Sequence, residues 1–210
     1  MGRSPFSVRP NLLSFFISYP MTAPQELPEV IKPILKYSGS KFDYEVNRLR
    51  LPNGAVGDYG SILHPGGALV VPVTNAGQLV LVRQYRFALQ GRILEFPAGT
   101  IEAGEDPLTT VQRELPEEAG YGAKTWRSLG KFPICPGYSD EWIYSFLATD
   151  LEKLAVPPDQ DDDEDIEVIL LSPGELEEKI HHPEEGDRLD AKTISSYYLA
   201  KPFLDKFCPN

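Results

Sequence analysis

One acidic segment, residues 99–121, constrains the fold of this chain more than any other feature. Its sequence, GTIEAGEDPLTTVQRELPEEAGY, holds six carboxylates within twenty-three positions. Asp106 followed by Pro107 is typical of a helix start, because aspartate caps the first turn and proline is tolerated at the first helical position. Gly120 can adopt the left-handed conformation that ends a helix. The segment therefore predicts a glycine-containing loop followed by a helix over 106–119.

Three acidic side chains share one face of this helix. Glu114, Glu117 and Glu118 stand at positions i, i+3 and i+4, and like charges at these spacings repel each other. One interpretation is a solvated acidic surface, since charge runs usually face water. The other is a divalent cation site, where the metal removes the repulsion. Oxygen ligands without nearby His or Cys indicate Mg²⁺, with Mn²⁺ as a substitute. Arg113 lies four residues before Glu117 and is expected to pair with it.

The rest of the chain predicts an α/β fold. Alternating or short apolar runs, several bounded by turn residues, indicate strands, and the Asn53-Gly54 pair predicts a two-residue hairpin turn. The predicted strands are 41–51, 55–63, 68–73, 78–87, 92–96, 124–132, 141–149 and 166–171, and two more helices are predicted at 173–182 and 191–203. We expect a tail over 1–24, a strand-rich extension over 25–66 and a mixed α/β domain over 67–205.

Composition excludes several classes of function. A net charge of −11 over 210 residues argues against nucleic-acid binding, which needs a basic surface. No run of about eighteen apolar residues is present, so no membrane partner is expected. The two cysteines, Cys135 and Cys208, lie far apart and indicate reduced thiols, hence a cytoplasmic protein. The serine- and arginine-containing tail leaves a targeting peptide open as an alternative.

The spacing of residues in and before the helix resembles the signature of a known family. Gly, five residues, Glu, seven residues, then Arg-Glu-apolar-any-Glu-Glu-any-Gly-apolar is the Nudix box. The matching positions are Gly99, Glu105, Arg113, Glu114, Leu115, Glu117, Glu118, Gly120 and Tyr121. Other segments resemble the ADP-ribose pyrophosphatase branch of that family, and with the box they cover most of residues 40–200. They read HPGGALVVPV, LVRQYRF, LEFPAG, CPGYSDEWIYSFLATDL and DEDIEVILL.

The resemblance implies a fold and an activity. The fold is a Nudix α/β/α sandwich with a mixed sheet, preceded by a strand-rich extension that serves dimerisation, so a homodimer is expected. The activity is Mg²⁺-dependent hydrolysis of a nucleoside diphosphate sugar, with two or three ions per site. For ADP-ribose the products are AMP and ribose 5-phosphate. A GDP- or ADP-hexose substrate stays open, and so does a non-catalytic Nudix sensor that binds such a ligand.

The resemblance also implies roles for residues of the box. Glu114 and Glu118 are expected to ligate the cations and Glu118 to be essential for turnover, with Glu117 and the carbonyl of Ala98 as further ligands. Gly99 is expected to let the backbone turn close to the site.

The general base has three candidates. Relatives place a carboxylate in a late acidic loop, which here is residues 159–168. Glu164 fits best as base or as a further metal ligand, and Asp162 lies where some relatives have Glu. Glu141 competes from a different segment. The sequence leaves these three candidates open.

Substrate contacts are expected from the strands before the box. Arg86 is the best candidate for a diphosphate clamp, because a guanidinium group matches phosphate geometry bidentately. Arg83 is a second candidate, although strand alternation can point it the other way. Glu95 occupies a position that resembles one near the nucleoside in the family.

Pro116 departs from what a helix interior favours. It fills a free position of the box, so the pattern survives. It nevertheless removes a backbone donor and clashes with the carbonyl of Gln112, at a cost of about 3 kcal/mol. A bent helix and an altered metal site are the expected consequences.

Overall fold

The computed structural model describes residues 26–158, 165–184 and 188–204. Ten strands and three helices, with one short 3₁₀ turn at Phe87–Leu89, follow each other in these ranges. The strands are β1 (Glu29–Ser38), β2 (Asp43–Arg50), β3 (Val56–Leu63), β4 (Gly67–Pro72), β5 (Leu79–Arg86), β6 (Gly91–Glu95), β7 (Ala98–Thr100), β8 (Tyr121–Pro133), β9 (Trp142–Lys153) and β10 (Ile166–Leu171). The helices are α1 (Pro107–Ala119), α2 (Pro173–His181) and α3 (Ala191–Leu204).

Two sheets form the centre of the domain. A four-stranded sheet has the order β7-β4-β9-β8 and pairs β4 with β9 in parallel, whereas a three-stranded antiparallel sheet has the order β10-β5-β6. Alternate residues of β4 enter different cores. Ala68 and Val70 pack in the cluster that contains Val111 of α1, and Leu69 packs in the cluster that contains Tyr197 of α3. The resulting helix–sheet–helix sandwich confirms the predicted α/β fold class.

Helix α1 has the ends that the sequence predicts. The side chain of Asp106 accepts a hydrogen bond from the Leu108 amide (2.9 Å), and Gly120 has a φ of 71° and donates its amide to the Pro116 carbonyl (3.0 Å). Pro116 lies inside a helix that continues to Ala119. The proline therefore does not end the helix, because packing on the sheet outweighs its local cost.

The first three strands form an antiparallel meander, β1-β2-β3, as a separate sheet. Strand β1 was not predicted from the sequence; its ten residues are all exposed, and its pairing is irregular around Pro33. An edge strand with a proline lacks the alternation that marks a half-buried strand. The predicted two-residue turn is wrong, since the connection runs from residue 51 to 55. Within it Gly54 has a φ of 84°, and the Ala55 amide donates to the Asn53 side chain.

All the predicted strands and helices are present, with end points that differ by a few residues. The structure adds the three-residue strand β7, which was predicted as loop and which pairs antiparallel with β4. In the described part of the chain, no helix is both long and apolar enough to cross a membrane.

Candidate active site

A cavity of about 760 Å³ lies where the meander, the central sheets and helix α1 meet. Its wall is shared by the turn between β1 and β2, strand β5, strand β7 with the loop that follows it, and α1. The lining residues are Ser40, Lys41, Pro65, Gln84, Arg86, Ala98, Gly99, Thr100, Ile101, Glu102, Ala103, Gly104, Glu105, Arg113, Glu114 and Glu118. The structure thus brings the loop and the helix of the acidic segment onto one cleft.

Glu114 packs directly against the backbone of Gly99. A Cβ atom at position 99 would stand 1.7 Å from Oε1 of Glu114 and 2.2 Å from its Cδ. Gly99 does not have a positive φ, so its role is to make room for the carboxylate rather than to turn the chain. The residue Glu114 is only 8% exposed. The strand β7 and the helix α1 therefore approach each other closely only because residue 99 has no side chain.

Glu118 is held from the same strand. Its Oε2 accepts a hydrogen bond from the Ala98 amide (2.9 Å), and the residue is 3% exposed. Glu114 and Glu118 lie one helical turn apart, so both reach the cleft from the same face of α1. The acidic face of this helix is therefore packed against β7 at these two positions rather than directed into bulk solvent.

Arg113 connects the carboxylates of the segment. Its Nη1 donates to Glu114 (2.7 Å) and to Glu117 (3.2 Å), and its Nε lies 3.4 Å from an oxygen of Glu105. Burial alone would lower the pKa of Arg113, but the hydrogen bonds to Glu105 and the charge of Glu114 raise it above its ordinary value. The predicted pair of Arg113 with Glu117 is present. The guanidinium removes much of the repulsion that three adjacent glutamates would otherwise create.

Glu105 orients the loop in front of α1. It accepts hydrogen bonds from the Glu102 amide (3.2 Å) and from the Thr110 hydroxyl (2.8 Å), besides its contact with Arg113. Burial would raise the pKa of Glu105, but the hydrogen bonds from Thr110 and Arg113 lower it below its ordinary value. The carboxylate is therefore ionised at neutral pH and holds the loop to the helix.

The donor set fits a hard divalent cation. Glu114 and Glu118 offer carboxylate oxygens next to the backbone of β7, and oxygen ligands are those that Mg²⁺ and Mn²⁺ prefer. In the part of the chain that the structure describes, no three His, Cys, Asp or Glu side chains are already grouped as a metal centre. Arg113 occupies one side of Glu114, so a bound cation has to share that carboxylate with the guanidinium.

The two candidate arginines of β5 take different positions. Arg86 lines the cavity, and its Nε donates to Oε2 of Glu95 (3.1 Å) while its Nη2 makes a second, shorter contact with the same oxygen. Arg83 pairs with Glu167 on the neighbouring strand β10 (3.2 Å) and is not on the cavity wall. Glu95 is 2% exposed and also accepts from Nζ of Lys192 (3.0 Å). Glu95 therefore touches the guanidinium of Arg86 in this structure and lies behind the cleft.

Two of the three candidates for the base, Glu164 and Asp162, lie outside the described residues. Glu141 precedes β9, with an oxygen 3.7 Å from Nδ1 of His64, beside the start of β4. It is not one of the residues that line the cavity. Glu117 does not line this cavity; together with Glu118 it lines a second cavity next to the end of α1. These positions do not decide between Glu164, Asp162 and Glu141 as the general base.

Several site residues were missed by the sequence analysis. Gln84 lines the cavity and is 7% exposed, and its Oε1 has no hydrogen-bond partner among the described residues. Because side chains two positions apart share a strand face, its spacing from Arg86 could have revealed it. Lys41 reaches the cleft from the meander, and no local pattern marks it. Lys192 belongs to α3, and only the fold brings it to Glu95.

Comparison with known proteins identifies the family. The NUDIX domain family matches residues 63–192. An ADP-ribose pyrophosphatase of Bacillus subtilis is 38% identical over 157 residues, covering 75% of this chain and 83% of that protein. A methanol dehydrogenase activator of Bacillus methanolicus is 36% identical over 166 residues, covering 79% and 88%.

A solved structure shares the fold. A crystal structure titled ADP compounds hydrolase superposes with a TM-score of 0.72 at 23% identity, over 85% of this chain and 95% of that chain. At this identity the likeness concerns the fold alone. The match to the NUDIX domain, the relative from Bacillus subtilis and the shared fold together show that the chain belongs to the Nudix hydrolase family, in its ADP-ribose pyrophosphatase-like branch.

Proposed function

We propose that this protein is a Mg²⁺-dependent pyrophosphohydrolase that cleaves ADP-ribose into AMP and ribose 5-phosphate, or cleaves a closely related nucleoside diphosphate sugar in the same way. The observation that carries the proposal is the shared cleft of Glu114, Glu118 and Arg86. Such a cleft offers oxygen ligands for cations on one wall and a guanidinium for a diphosphate on another. The relative from Bacillus subtilis, named ADP-ribose pyrophosphatase, supports this choice of substrate.

The residues of α1 and β7 form the cation-binding wall. Glu114 and Glu118 supply the principal ligands, Glu117 a further one, and the carbonyl of Ala98 completes the set. Two or three Mg²⁺ ions, or Mn²⁺ in their place, neutralise the diphosphate and activate water when bound. Gly99 and the Ala98 amide keep the two principal carboxylates in place before substrate arrives. Preorganised ligands of this kind lower the cost of reorganisation during the reaction.

Hydrolysis needs one proton acceptor. The oxygen of water bonds to one phosphorus, the bond from that phosphorus to the bridging oxygen breaks, and one water proton goes to the base. Glu164 is the first candidate, Glu141 the second and Asp162 the third, and Glu118 would be essential as a cation ligand. Alanine at Glu164 and at Glu141 separates the first two candidates, because loss of the base removes the acidic limb of the pH dependence of kcat.

The proposed substrate contacts lie on strand β5 and on strands β6 and β7. Arg86 binds diphosphate oxygens with the N–H groups that Glu95 leaves available. Gly99 lets the substrate approach the backbone of β7. Glu95 contributes through Arg86. Arg83 stays a predicted substrate contact for which the ion pair with Glu167 has to open.

The test is incubation of the full chain with ADP-ribose and Mg²⁺, with and without a chelator, followed by nucleotide chromatography. We expect AMP and ribose 5-phosphate in equal amounts, and no AMP once the chelator is present. Parallel reactions with GDP- and ADP-hexoses rank the substrates. Absence of any nucleoside monophosphate (AMP from the ADP sugars, GMP from the GDP-hexoses), with both Mg²⁺ and Mn²⁺ and with a folded protein, would refute catalysis and favour the non-catalytic sensor.

The sensor alternative is not favoured. The ligand glutamates are all retained in this chain, and the matched relatives include proteins named as hydrolases. A sensor would bind ADP-ribose without converting it, so the same chromatography separates the two functions.

We infer that the extension over residues 25–66 serves to form a homodimer around the Nudix domain of residues 67–205. Strand β1 leaves Val30, Ile34 and Tyr37 between 47% and 63% exposed, and exposed apolar side chains on one strand favour association. Sedimentation is expected to give twice the chain mass of 23.4 kDa. A monomer at micromolar concentration would contradict the assignment. The chain is proposed to act in the cytoplasm, without nucleic-acid or membrane partners.

A further inference from the structure

A nearly buried lysine stands behind the cleft and plays no part in the proposed chemistry. Lys192, in the first turn of α3, has a side chain that is 14% exposed. Its Nζ donates to Oε1 of Glu95 (3.0 Å) and makes a short ion pair with Asp190. Lysine is rarely buried unless it is paired, because its charge loses hydration. A lysine held in this way therefore has a structural or functional reason to be present.

The lysine and the arginine contact the same carboxylate. Glu95, at the end of β6, accepts from Lys192 at Oε1 and from Arg86 mainly at Oε2. Asp190 completes the group by pairing with Lys192. Two cations and two carboxylates are thus linked in a row, and their charges cancel. Only Arg86 of the four reaches the cavity wall.

The row of Arg86, Glu95, Lys192 and Asp190 is anchored by hydrogen bonds on both sides of Glu95. The Leu94 amide donates to the Arg188 carbonyl (2.8 Å), and the Phe96 amide donates to the Thr193 hydroxyl (3.2 Å), so β6 and the start of α3 are bound together around Glu95. Asp190 also accepts from the Thr193 amide (2.8 Å). The position of Lys192 relative to Glu95 is therefore fixed by backbone contacts and not by its long side chain alone.

We propose that Lys192, balanced by Asp190, is a positioning residue that sets how much of the Arg86 guanidinium is available to the diphosphate. Glu95 divides its charge between two cations. With Lys192 in place, Glu95 fixes one edge of Arg86 without fully neutralising it. Without Lys192, the whole charge of Glu95 is directed at Arg86, and an incoming diphosphate meets a net negative group. The pKa of Lys192, which burial would lower, is raised by Asp190 and Glu95, so the amine is charged.

The proposal predicts opposite effects for the two residues behind Glu95. Lys192→Met leaves the row with one net negative charge. Asp190→Asn leaves it with one net positive charge and preserves the cap on the Thr193 amide, because asparagine also caps helices. A residue that merely holds α3 in place would weaken the site in both variants. Charge control of Arg86 raises the KM in the first variant and lowers it in the second.

The experiment measures two quantities on the full-length chain. Binding of inorganic pyrophosphate with Mg²⁺ by calorimetry reports the diphosphate site alone, and ADP-ribose hydrolysis gives KM and kcat. For Lys192→Met we expect Kd and KM to rise about tenfold, as for one charge-assisted hydrogen bond, with a smaller change in kcat. Asp190→Asn is expected to lower both constants. In an Arg86→Ala background neither substitution should change them further, because the coupling runs through Arg86.

Lys201→Met is the matched control. Lys201 lies in the same helix and pairs with Glu177, away from Arg86. Its removal is expected to leave Kd and KM within about twofold of the parent values, as for surface positions. Equal effects of Lys192→Met and Lys201→Met would overturn the proposal. So would an effect of Lys192→Met that persists undiminished in Arg86→Ala.

The inference rests on the proposed function for the choice of substrate and for the role of Arg86 at the diphosphate. If Lys192→Met fails to fold, the direction of the Asp190→Asn change decides: a lower Kd supports charge control, and a higher or unchanged one refutes it. Pyrophosphate binding with the expected pattern but no hydrolysis of any nucleotide sugar would remove the proposed function and retain the positioning role. Hydrolysis of ADP-ribose, with Lys192→Met behaving like Lys201→Met, would retain the proposed function and remove the positioning role.

Discussion

Replacing Gly99 with alanine tests whether the close approach of β7 and α1 is what places Glu114. The added Cβ would stand 1.7 Å from Oε1, 2.2 Å from Cδ and 2.6 Å from Cγ of Glu114. Non-bonded carbon atoms pack at about 3.5–4.0 Å, so the carboxylate has to move by roughly 1.3 Å or more. Such a shift also breaks the 2.7 Å contact of Glu114 with Arg113.

A displacement of about 1 Å in a catalytic group costs on the order of a hundredfold in rate. We therefore expect Gly99→Ala to lower kcat for ADP-ribose about a hundredfold and to weaken Mn²⁺ binding, measured by electron paramagnetic resonance. Thermal unfolding should change less, because the methyl group meets the end of a side chain rather than backbone. Gly174→Ala is the matched control, since its Cβ would have no neighbour within 4 Å. Activity of Gly99→Ala within about threefold of the parent would refute this reasoning.

Three further predictions follow from α1 and its loop. Glu118→Gln keeps an oxygen for the Ala98 amide but loses the charge, so kcat should fall about a thousandfold while the melting temperature stays near the parent value; near-native turnover would remove Glu118 from the ligand set. Pro116→Ala should raise the free energy of unfolding in urea by up to about 3 kcal/mol, since a backbone donor returns to the helix interior, and a lower unfolding midpoint would contradict that cost. Glu105 has a lowered pKa in the folded state, so its stabilising contribution is present above its ordinary value of 4.5 and is lost as the pH falls through the lowered value. Melting temperatures of the parent and of Glu105→Gln should therefore differ at pH 7 and converge as the pH falls below 4.5, whereas a constant difference would exclude the charge as the cause.

Local signals predicted the fold where the chain obeys simple periodicity. The ends of α1 were predictable because Asp106 and Gly120 act through their own backbone neighbours. Strand β1 was missed because all its residues are exposed and Pro33 interrupts its pairing, so it carries no alternation. Strand β7 is too short for any period, and it exists because β4 supplies its partners.

Some features of the site were likewise predictable from local sequence, and others were visible only in the structure. The spacing of Glu114 and Glu118 on one helix face follows from 3.6 residues per turn, and the need for glycine at position 99 followed from the resemblance. That Gly99 serves the carboxylate of Glu114 rather than a turn was visible only in the structure, which shows a close contact and no positive φ. Strand alternation already favoured Arg86 over Arg83 as the diphosphate clamp, and the pairing of β5 with β10 shows that Arg83 meets Glu167 instead.

The sequence by itself determined the class of chemistry in this protein: an all-oxygen set of carboxylates on one capped helix, attached to a glycine-containing loop. Those features are local, and a helix enforces their geometry wherever it lies. Only the tertiary structure decided which residues stand behind Arg86. Glu95 and Lys192 are 97 positions apart, and they meet because α3 is hydrogen-bonded to the end of β6. Contacts of that kind depend on the packing of distant elements, which leaves no periodic mark on the chain.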